Sequence, residues 1–401
     1  MLERFIRYID EQHLFPSGQQ VLLAVSGGRD SVCLAHLVRA ACIPFAIAHC
    51  NFHLRPGDCD RDQQFVATLA AQIGAPFYTV DFDTRAEAAA SGESIEEAAR
   101  RLRYTFFADL CHRHAFPCVA TAHHADDSVE TFFLNLFRGT GIEGLHGIRP
   151  VSELRINNEE LIVARPLLPF GRAEIDAYVD ANALAYVEDC TNAELDARRN
   201  RIRLQLMPLL RELYPSVDAT MQANITRLAD AGEVYRRYVD DLRARVIHKY
   251  ESRLPSLPVA IQSIALSDID ALSPQRTLLF ELLRPYGFNA ATVDDITKTI
   301  SQSGNQAISG RLFYSPTHVA ELHRGQLLVA PQFQQLAVDG LLSVRPWRHA
   351  DRFRPKGMHG TRLVSDFLKD LHLSRIERQY VMVSVDADGV IRSVIGLRDA
   401  E

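Results

Sequence analysis

Four short apolar runs, Val21–Val25, Pro44–Cys50, Pro76–Val80 and Pro117–Thr121, punctuate the first third of the chain, and the stretches between them are amphipathic. Runs of this length bounded by turn residues read as buried strands, whereas Arg61–Ile73 and Ser94–Cys111 have the apolar spacing of helices. The second of these opens with Ser94 and has Glu97 three residues on, the pattern of a capping box. Strands alternating with helices predict right-handed βαβ units and a parallel sheet. Ligands of such sheets lie beyond the carboxyl ends of the strands. Ser26–Ser31, His49–Arg55 and Thr121–Asp127 each follow a predicted strand, so one crevice should gather all three.

The pattern changes near Pro215. Ser216–Tyr250 reads as a charged helix, Leu254–Pro258 as a break, and Gln275–Leu283 and Ala291–Ile300 as further helices. Short β-like runs follow at Gly310–Tyr314, Ala320–Leu322 and Gln326–Val329. In the tail, Tyr380–Val385 and Val390–Leu397 flank Asp386–Gly389 as a hairpin. The expected fold is α/β: a doubly wound parallel sheet over 1–215, a helical middle domain over 216–335, and a small α+β domain over 336–401.

Composition narrows the class. The 401 residues suit two or three domains, and the N-terminus lacks the apolar core of a signal peptide. No run approaches the ~20 apolar residues of a membrane span, so a soluble protein is expected. The seven cysteines are odd in number and contain no Cys-x-x-Cys pair, which points to a reducing cytoplasm rather than to disulfides or a zinc ribbon. Cys33, Cys42 and Cys118 read as plain core thiols. A net charge of −6 excludes general nucleic-acid binding by bulk charge. Local basic patches remain, at Arg198–Arg203 and at Arg345–Arg362. The second holds Arg345, Arg348, Arg352, Arg354, Lys356 and Arg362 against the single acid Asp351, interleaved with Trp347 and Phe353. Such aromatics suggest RNA contact by stacking, against the simpler reading of a solvated charged face.

The residues that suggest chemistry follow the strands. Ser26-Gly27-Gly28-Arg29-Asp30-Ser31 joins the first strand to a helix, and it lacks the lysine of a Walker loop. Its glycines allow close backbone approach, and the helix start behind it favours an anion, so the loop is expected to bind phosphate. After the second strand, Arg55 is a candidate phosphate contact and Asn51 a candidate base contact. After the fourth come His123, His124, Asp126, Asp127 and Glu130. Beside a triphosphate their carboxylates suggest magnesium held by Asp30 and one of Asp126 or Asp127; Asp126 also suits a helix N-cap. Gly139, Gly141, Gly144 and Gly147 suggest either a tight loop against a nucleotide or a mobile linker.

Together these segments resemble the tRNA(Ile)-lysidine synthetase family of ATP pyrophosphatases. The resemblance rests on Ser26–Ser31, His49–Arg55, Glu97–Tyr104, Thr121–Thr131, Asn135–Gly139, Gly144–Ile148, Arg165–Leu168, Asp189–Asn192 and Arg199–Arg203, in order. Phe353–Met358, Ser365–Leu368 and Gly396–Arg398 are similar to the family's C-terminal domain, although this chain ends sooner. The stretch 216–331 matches only in length and helical character.

The resemblance implies an adenine nucleotide alpha hydrolase-like fold. It also implies ligation of lysine to C2 of the wobble cytidine of a CAU-anticodon isoleucine tRNA. In that reaction ATP adenylates the cytidine before the lysine ε-amine attacks. ATP would be bound by Ser26, Gly27, Gly28, Arg29, Asp30, Ser31, His49 and Asn51, with magnesium on Asp30. Asp30, Asp126, Asp127, Arg199 and Arg203 would carry the chemistry. The base for lysine stays open among Asp126, Asp127 and Glu143, and Arg199, Arg201 and Arg203 would hold either AMP or the anticodon stem. The partners implied are that tRNA and free lysine, with no membrane and with a homodimer left open. A tRNA thiolase, a small-molecule ligase such as NAD synthetase, and a non-catalytic RNA-binding module are the rival readings. The missing Cys-x-x-Cys pair, the basic tail and Asp30 speak against each in turn.

Overall fold

The computed structural model describes residues 1–54, 58–157, 159–188, 198–254, 257–303, 310–333, 344–386 and 388–400. Chain contacts divide it into two compact units, Met1–Glu233 and Val234–Glu401.

In the first unit the order is α1 (Leu2–Glu11), β1 (Val21–Ala24), α2 (Arg29–Ala40), β2 (Phe45–Asn51), α3 (Asp58–Ile73) and β3 (Phe77–Asp81). Then come α4 (Thr84–Ser91), α5 (Ile95–His114), β4 (Val119–Ala120), α6 (Ala125–Arg138) and the hairpin β5 (Val151–Ile156) and β6 (Glu159–Ala164). The unit continues with α7 (Arg172–Ala181), α8 (Arg198–Arg201), a π-helical turn at Ile202–Leu206, and α9 (Met207–Leu213), and reaches into α10 (Val217–Val246). The six strands pair as β3-β2-β1-β4-β6-β5, all parallel except the edge strand β5.

Strand alternation covers both faces of this sheet. Val21, Leu23, Phe45 and Ile47 pack with α1, α2, α3 and α7, while Leu22, Ala46 and Ala48 pack with Tyr104, Phe107, Ala108 and Leu110 of α5. The sheet is therefore doubly wound, as expected. From β1 the chain moves outward to β2 and β3, then returns to place β4 on the other side of β1. The strand order reverses between β1 and β4, and ligands of open α/β sheets bind at such a point. The capping box of α5 forms as predicted between Ser94 and Glu97.

Among the described residues the second unit holds three antiparallel sheets, of five, four and two strands. After the last turns of α10 come β7 (His248–Lys249), β8 (Gln262–Ala265), α11 (Leu266–Asp270), α12 (Gln275–Leu283) and α13 (Ala290–Ser303). β9 (Arg311–Tyr314), β10 (His318–His323) and β11 (Gln326–Pro331) complete a sheet of order β7-β8-β11-β10-β9. The helical stretch expected here is thus helices packed on five strands, because Ile264, Phe313, Leu322 and Leu327 close against Leu279, Leu283 and Ile296.

The tail contains β12 (Val344–Pro346), β13 (Arg352–Phe353), β14 (Arg362–Leu363), α14 (Val364–Asp370), α15 (Arg375–Arg378), β15 (Met382–Val385), β16 (Ile391–Val394) and β17 (Arg398–Asp399). The predicted hairpin is β15–β16, antiparallel with an irregularity after Ser384. Two buried carboxylates fasten this tail within its unit. Glu321 of β10 accepts the backbone N–H groups of Arg375 and Ile376, each at 2.9 Å. Glu377 of α15 accepts from the Ser252 hydroxyl at 2.7 Å and the Arg253 N–H at 3.2 Å.

No helix among the described residues is long and apolar enough to cross a membrane. Cys33 and Cys118 are buried, and burial pushes both thiols up to about 12. Cys42 corrects the expectation of a core thiol. It lies exposed just past the end of α2 with φ of 56°, where the chain turns and no apolar face reaches it.

Candidate active site

Gly27 and Gly28 shape the loop between β1 and α2. Gly27 has φ of +95°, a left-handed conformation that favours glycine, and its carbonyl accepts the Val187 N–H at 2.9 Å. Gly28 is the N-cap of α2 and has no side chain to occupy the helix start, so the first amides are free to meet an anion. Ser31 donates its hydroxyl to the Gly28 carbonyl at 2.8 Å, and the Ser26 hydroxyl accepts the Gly28 N–H at 3.3 Å. The loop is thereby fixed before any ligand arrives.

A cavity of about 700 Å³ opens above it, lined by Ser26, Gly28, Arg29, Asp30 and Ser31 from β1–α2 and by Thr121, His123 and Asp127 from β4–α6. Phe107 and Tyr104 of α5 form an apolar wall, and Arg172, Tyr186 and Arg203 close the rim. The size suits a nucleotide. Asp30, the expected magnesium ligand, is held by both terminal nitrogens of Arg172, one of them at 3.0 Å from Oδ2. Arg172 also donates to His124 Nε2 at 3.0 Å.

Asp127 and Glu130 lie one turn apart on α6 and receive two arginines. Arg199 meets Glu130 at 2.6 Å and Asp127 at 2.9 Å; Arg203 meets Glu130 at 2.6 Å. Glu130 is 2% exposed. Burial raises the Asp127 carboxyl, but His124, Arg199 and the His124 N–H outweigh it and leave it below the usual carboxylate range. His123 is pulled down to about 4, first by burial and then by nearby arginines acting against Asp127. The imidazole is therefore neutral at pH 7.

A second cavity, of about 560 Å³, shares Arg172 and Arg203 with the first. Its charged wall is acidic on balance: five carboxylates (Asp126, Glu130, Glu174, Asp176 and Asp218) face three guanidiniums, the third being Arg211. Asp126 is not the N-cap of α6, which is His124. It accepts the Arg172 N–H at 3.0 Å and Arg211 at 3.2 Å instead.

Several expected residues part from this arrangement. His49 and Asn51 do not line the main cavity, because residues 48 and 50 of β2 take the face toward α5 and the two polar side chains take the other. His49 bonds the Val25 carbonyl at 2.9 Å, and Asn51 donates to Gln63 at 3.0 Å, so both brace the sheet. Arg29 lies on the rim, with its guanidinium turned to Asp176 and Tyr186, each at 2.6 Å. Glu143 lines neither cavity.

The glycine-rich stretch lines neither cavity and is tied to α6. Asn135 of α6 binds the Gly144 carbonyl at 2.8 Å, Ser128 binds the Ile148 N–H at 2.9 Å, and a Cβ on Gly147 would collide with the Ser128 hydroxyl. Arg55 and Asp189–Asn192 lie outside the described residues. No group of three or more His, Cys, Asp or Glu among the described residues could hold a metal by itself. Arg172 carries little signal in the sequence, being only an arginine at a helix start after Phe170-Gly171. Glu130 is equally inconspicuous there, one acid among three.

In the tail patch, the two aromatics differ in setting. Phe353 is buried, and the Trp347 indole N–H donates to the Arg378 carbonyl at 2.7 Å. Arg345 is taken by Asp351 through two bonds of 2.8 and 2.9 Å.

Residues 1–210 match the PP-loop domain family, and residues 260–332 match the TilS substrate binding domain. The tRNA(Ile)-lysidine synthase of Bacteroides thetaiotaomicron is 35% identical over 95% of this chain and 92% of its own length. That of Parabacteroides distasonis is 31% identical over 98% and 94%. Among solved structures, the U34-tRNA thiolase NcsA from Methanococcus maripaludis aligns with 57% of this chain and 78% of its own, at 14% identity and a TM-score of 0.45, too loosely to bear on chemistry. The extent of the first two matches and the intact PP-loop cleft lead to one assignment: this chain belongs to the tRNA(Ile)-lysidine synthase family.

Proposed function

We propose that the chain ligates free lysine to C2 of the wobble cytidine of CAU-anticodon isoleucine tRNA, consuming ATP and releasing AMP and pyrophosphate. The observation that carries this reading is the pair of cavities meeting at Arg172 and Arg203. A reaction that joins an activated nucleobase to a separate amine needs two such adjoining sites.

The first cavity takes ATP, with its β and γ phosphates on the amides of Ser26–Ser31 and at the start of α2. The cytidine O2 attacks the α phosphorus and pyrophosphate leaves. The lysine ε-amine then adds to C2, and the phosphorylated oxygen departs as AMP. Arg203, on the shared wall, faces the phosphate charge in both steps. A magnesium ion commonly binds through one or two carboxylates plus phosphate oxygens. Asp30 on the cavity wall would supply that carboxylate by exchanging Arg172, which holds both its oxygens, for the ion, and the ion would offset the charge of the leaving pyrophosphate.

The second cavity takes lysine, whose two ammonium groups match its excess of carboxylate. An amine with a solution pKa of about 10.4 must lose a proton before attack. Asp127, held below the usual range by His124 and Arg199, is a poor acceptor, and Asp126 lines this cavity, so Asp126 is the better candidate to receive it. We also propose that 1–215 is the catalytic part, and that 216–335 and 336–401 contact the tRNA.

The test is incubation with CAU-anticodon isoleucine tRNA, ATP, magnesium and labelled lysine. One lysine should enter per tRNA, and none when the wobble cytidine is replaced by uridine. Asp30→Asn should remain folded and lose tRNA-dependent pyrophosphate release. Lysine entering RNA without that cytidine, or none entering the intact tRNA, rejects the reading.

A further inference from the structure

The second unit contains a cavity of about 670 Å³ between the sheet edge at β9 and the tail. Its lining includes three aromatic rings, Tyr314, Phe333 and Trp347. It also includes the cations Lys369, Arg375 and Arg378, and no carboxylate among the described residues. In a chain with 50 acidic residues against 44 basic ones, a cleft without acids is selective for an anion.

Of the three cations, Lys369 pairs with Asp366 at 2.9 Å and Arg375 donates to the Gly310 carbonyl at 3.0 Å, which leaves Arg378 as the group best placed to receive a ligand. Trp347 spends its single N–H on the Arg378 carbonyl, which fixes the ring and leaves only apolar surface for the cavity. Tyr314 is 57% exposed, far more than sheet packing requires of an aromatic ring. Arg378 uses Nε on the Leu373 carbonyl at 2.9 Å, and among the described residues its two terminal amino groups have no hydrogen-bond partner. Burial also pulls this guanidinium below its ordinary value, so it would gain from a neighbouring anion.

Flat rings next to phosphate-binding cations suit an unpaired nucleotide: the base stacks on an aromatic face and the phosphate meets the guanidinium. A duplex cannot offer its bases in this way. We propose that this cavity holds one unpaired nucleotide of the RNA substrate, a contact separate from the catalytic cleft. The proposal rests on the reading that the chain acts on tRNA.

Trp347 is the single tryptophan of the chain, so intrinsic fluorescence reports on the cavity directly. The full chain is titrated, without ATP, with each of the four single-stranded homotetraribonucleotides and with blunt duplex RNA. At least one tetramer should quench the emission saturably, and the blunt duplex should not. Tyr314→Ala and Lys369→Ala should each weaken that quenching at least tenfold, whereas Tyr314→Phe should retain it. Absence of quenching by all four tetramers, equal quenching by the blunt duplex, or unchanged titrations in both alanine variants would overturn the proposal. Lysine incorporation by the unaltered chain is measured separately, so failure of the nucleotide pocket and failure of the catalytic reading give different results.

Discussion

His123 shows how one residue's surroundings set its pH behaviour. The imidazole is held by Thr121 at 2.8 Å and titrates near 4 instead of 6.5. Between those values the folded chain binds fewer protons than the unfolded chain, so stability rises with pH. The contribution is complete above 6.5 and is lost as pH falls toward 4, at roughly 1.4 kcal/mol for each pH unit crossed. Urea midpoints measured at pH 7 and pH 4.5 should therefore fall further for the native chain than for His123→Asn. Equal falls in the two proteins would show that His123 is not the source. Asp30 and Arg172 make a related point. An arginine 142 positions away neutralises the loop carboxylate, and only folding brings the two together.

At the scale of elements, α6 and the segment α8–α9 form one charged seam around Glu130. Removing one partner of a buried pair costs up to about 3–5 kcal/mol, but Arg199 and Arg203 keep 36% and 29% of their side chains in water. Glu130→Ala should therefore cost only about 2 kcal/mol in chemical denaturation. It should reduce lysine incorporation far more than its stability loss explains, because two arginines lose their anchor together. A full-rate variant would show the seam to be structural only.

Much at this scale is legible in the chain. The first three strands end within one residue of their expected positions, α12 spans Gln275–Leu283 as expected, and the Ser94 cap is in place. The hairpin β5–β6 is hidden from the pattern, because its strands mix Glu and Arg with apolar residues at an exposed sheet edge. Strand parity also defeats the reading of β2. The cluster His49 to Asn51 is polar enough to suggest a site, but only the register of the sheet decides which side chains meet the cleft. Arg172 is invisible for a different reason: its role lies in a pairing across the fold, which no local pattern encodes.

Across the whole molecule, the basic tail tests how charge is used. Phe353 is buried, so outside the cavity lined by Trp347 this patch meets solvent through the exposed cations Arg352, Arg354 and Lys356. Neutralising these three together should weaken tRNA binding and flatten its salt dependence, since every phosphate left without its cation takes about one unit off the slope. ATP binding should be unchanged. Identical affinity and slope would mark the patch as a solvated surface. The clasp formed by Glu321 has a different kind of consequence, for anyone dissecting the protein. The matched substrate binding domain stops at residue 332, yet Glu321 inside it draws both of its hydrogen-bond donors from Arg375 and Ile376. Cutting at the family boundary would strand a carboxylate in an apolar setting. The smallest piece of this region that can stand alone must therefore extend past α15, and the evolutionary module is shorter than the folding one.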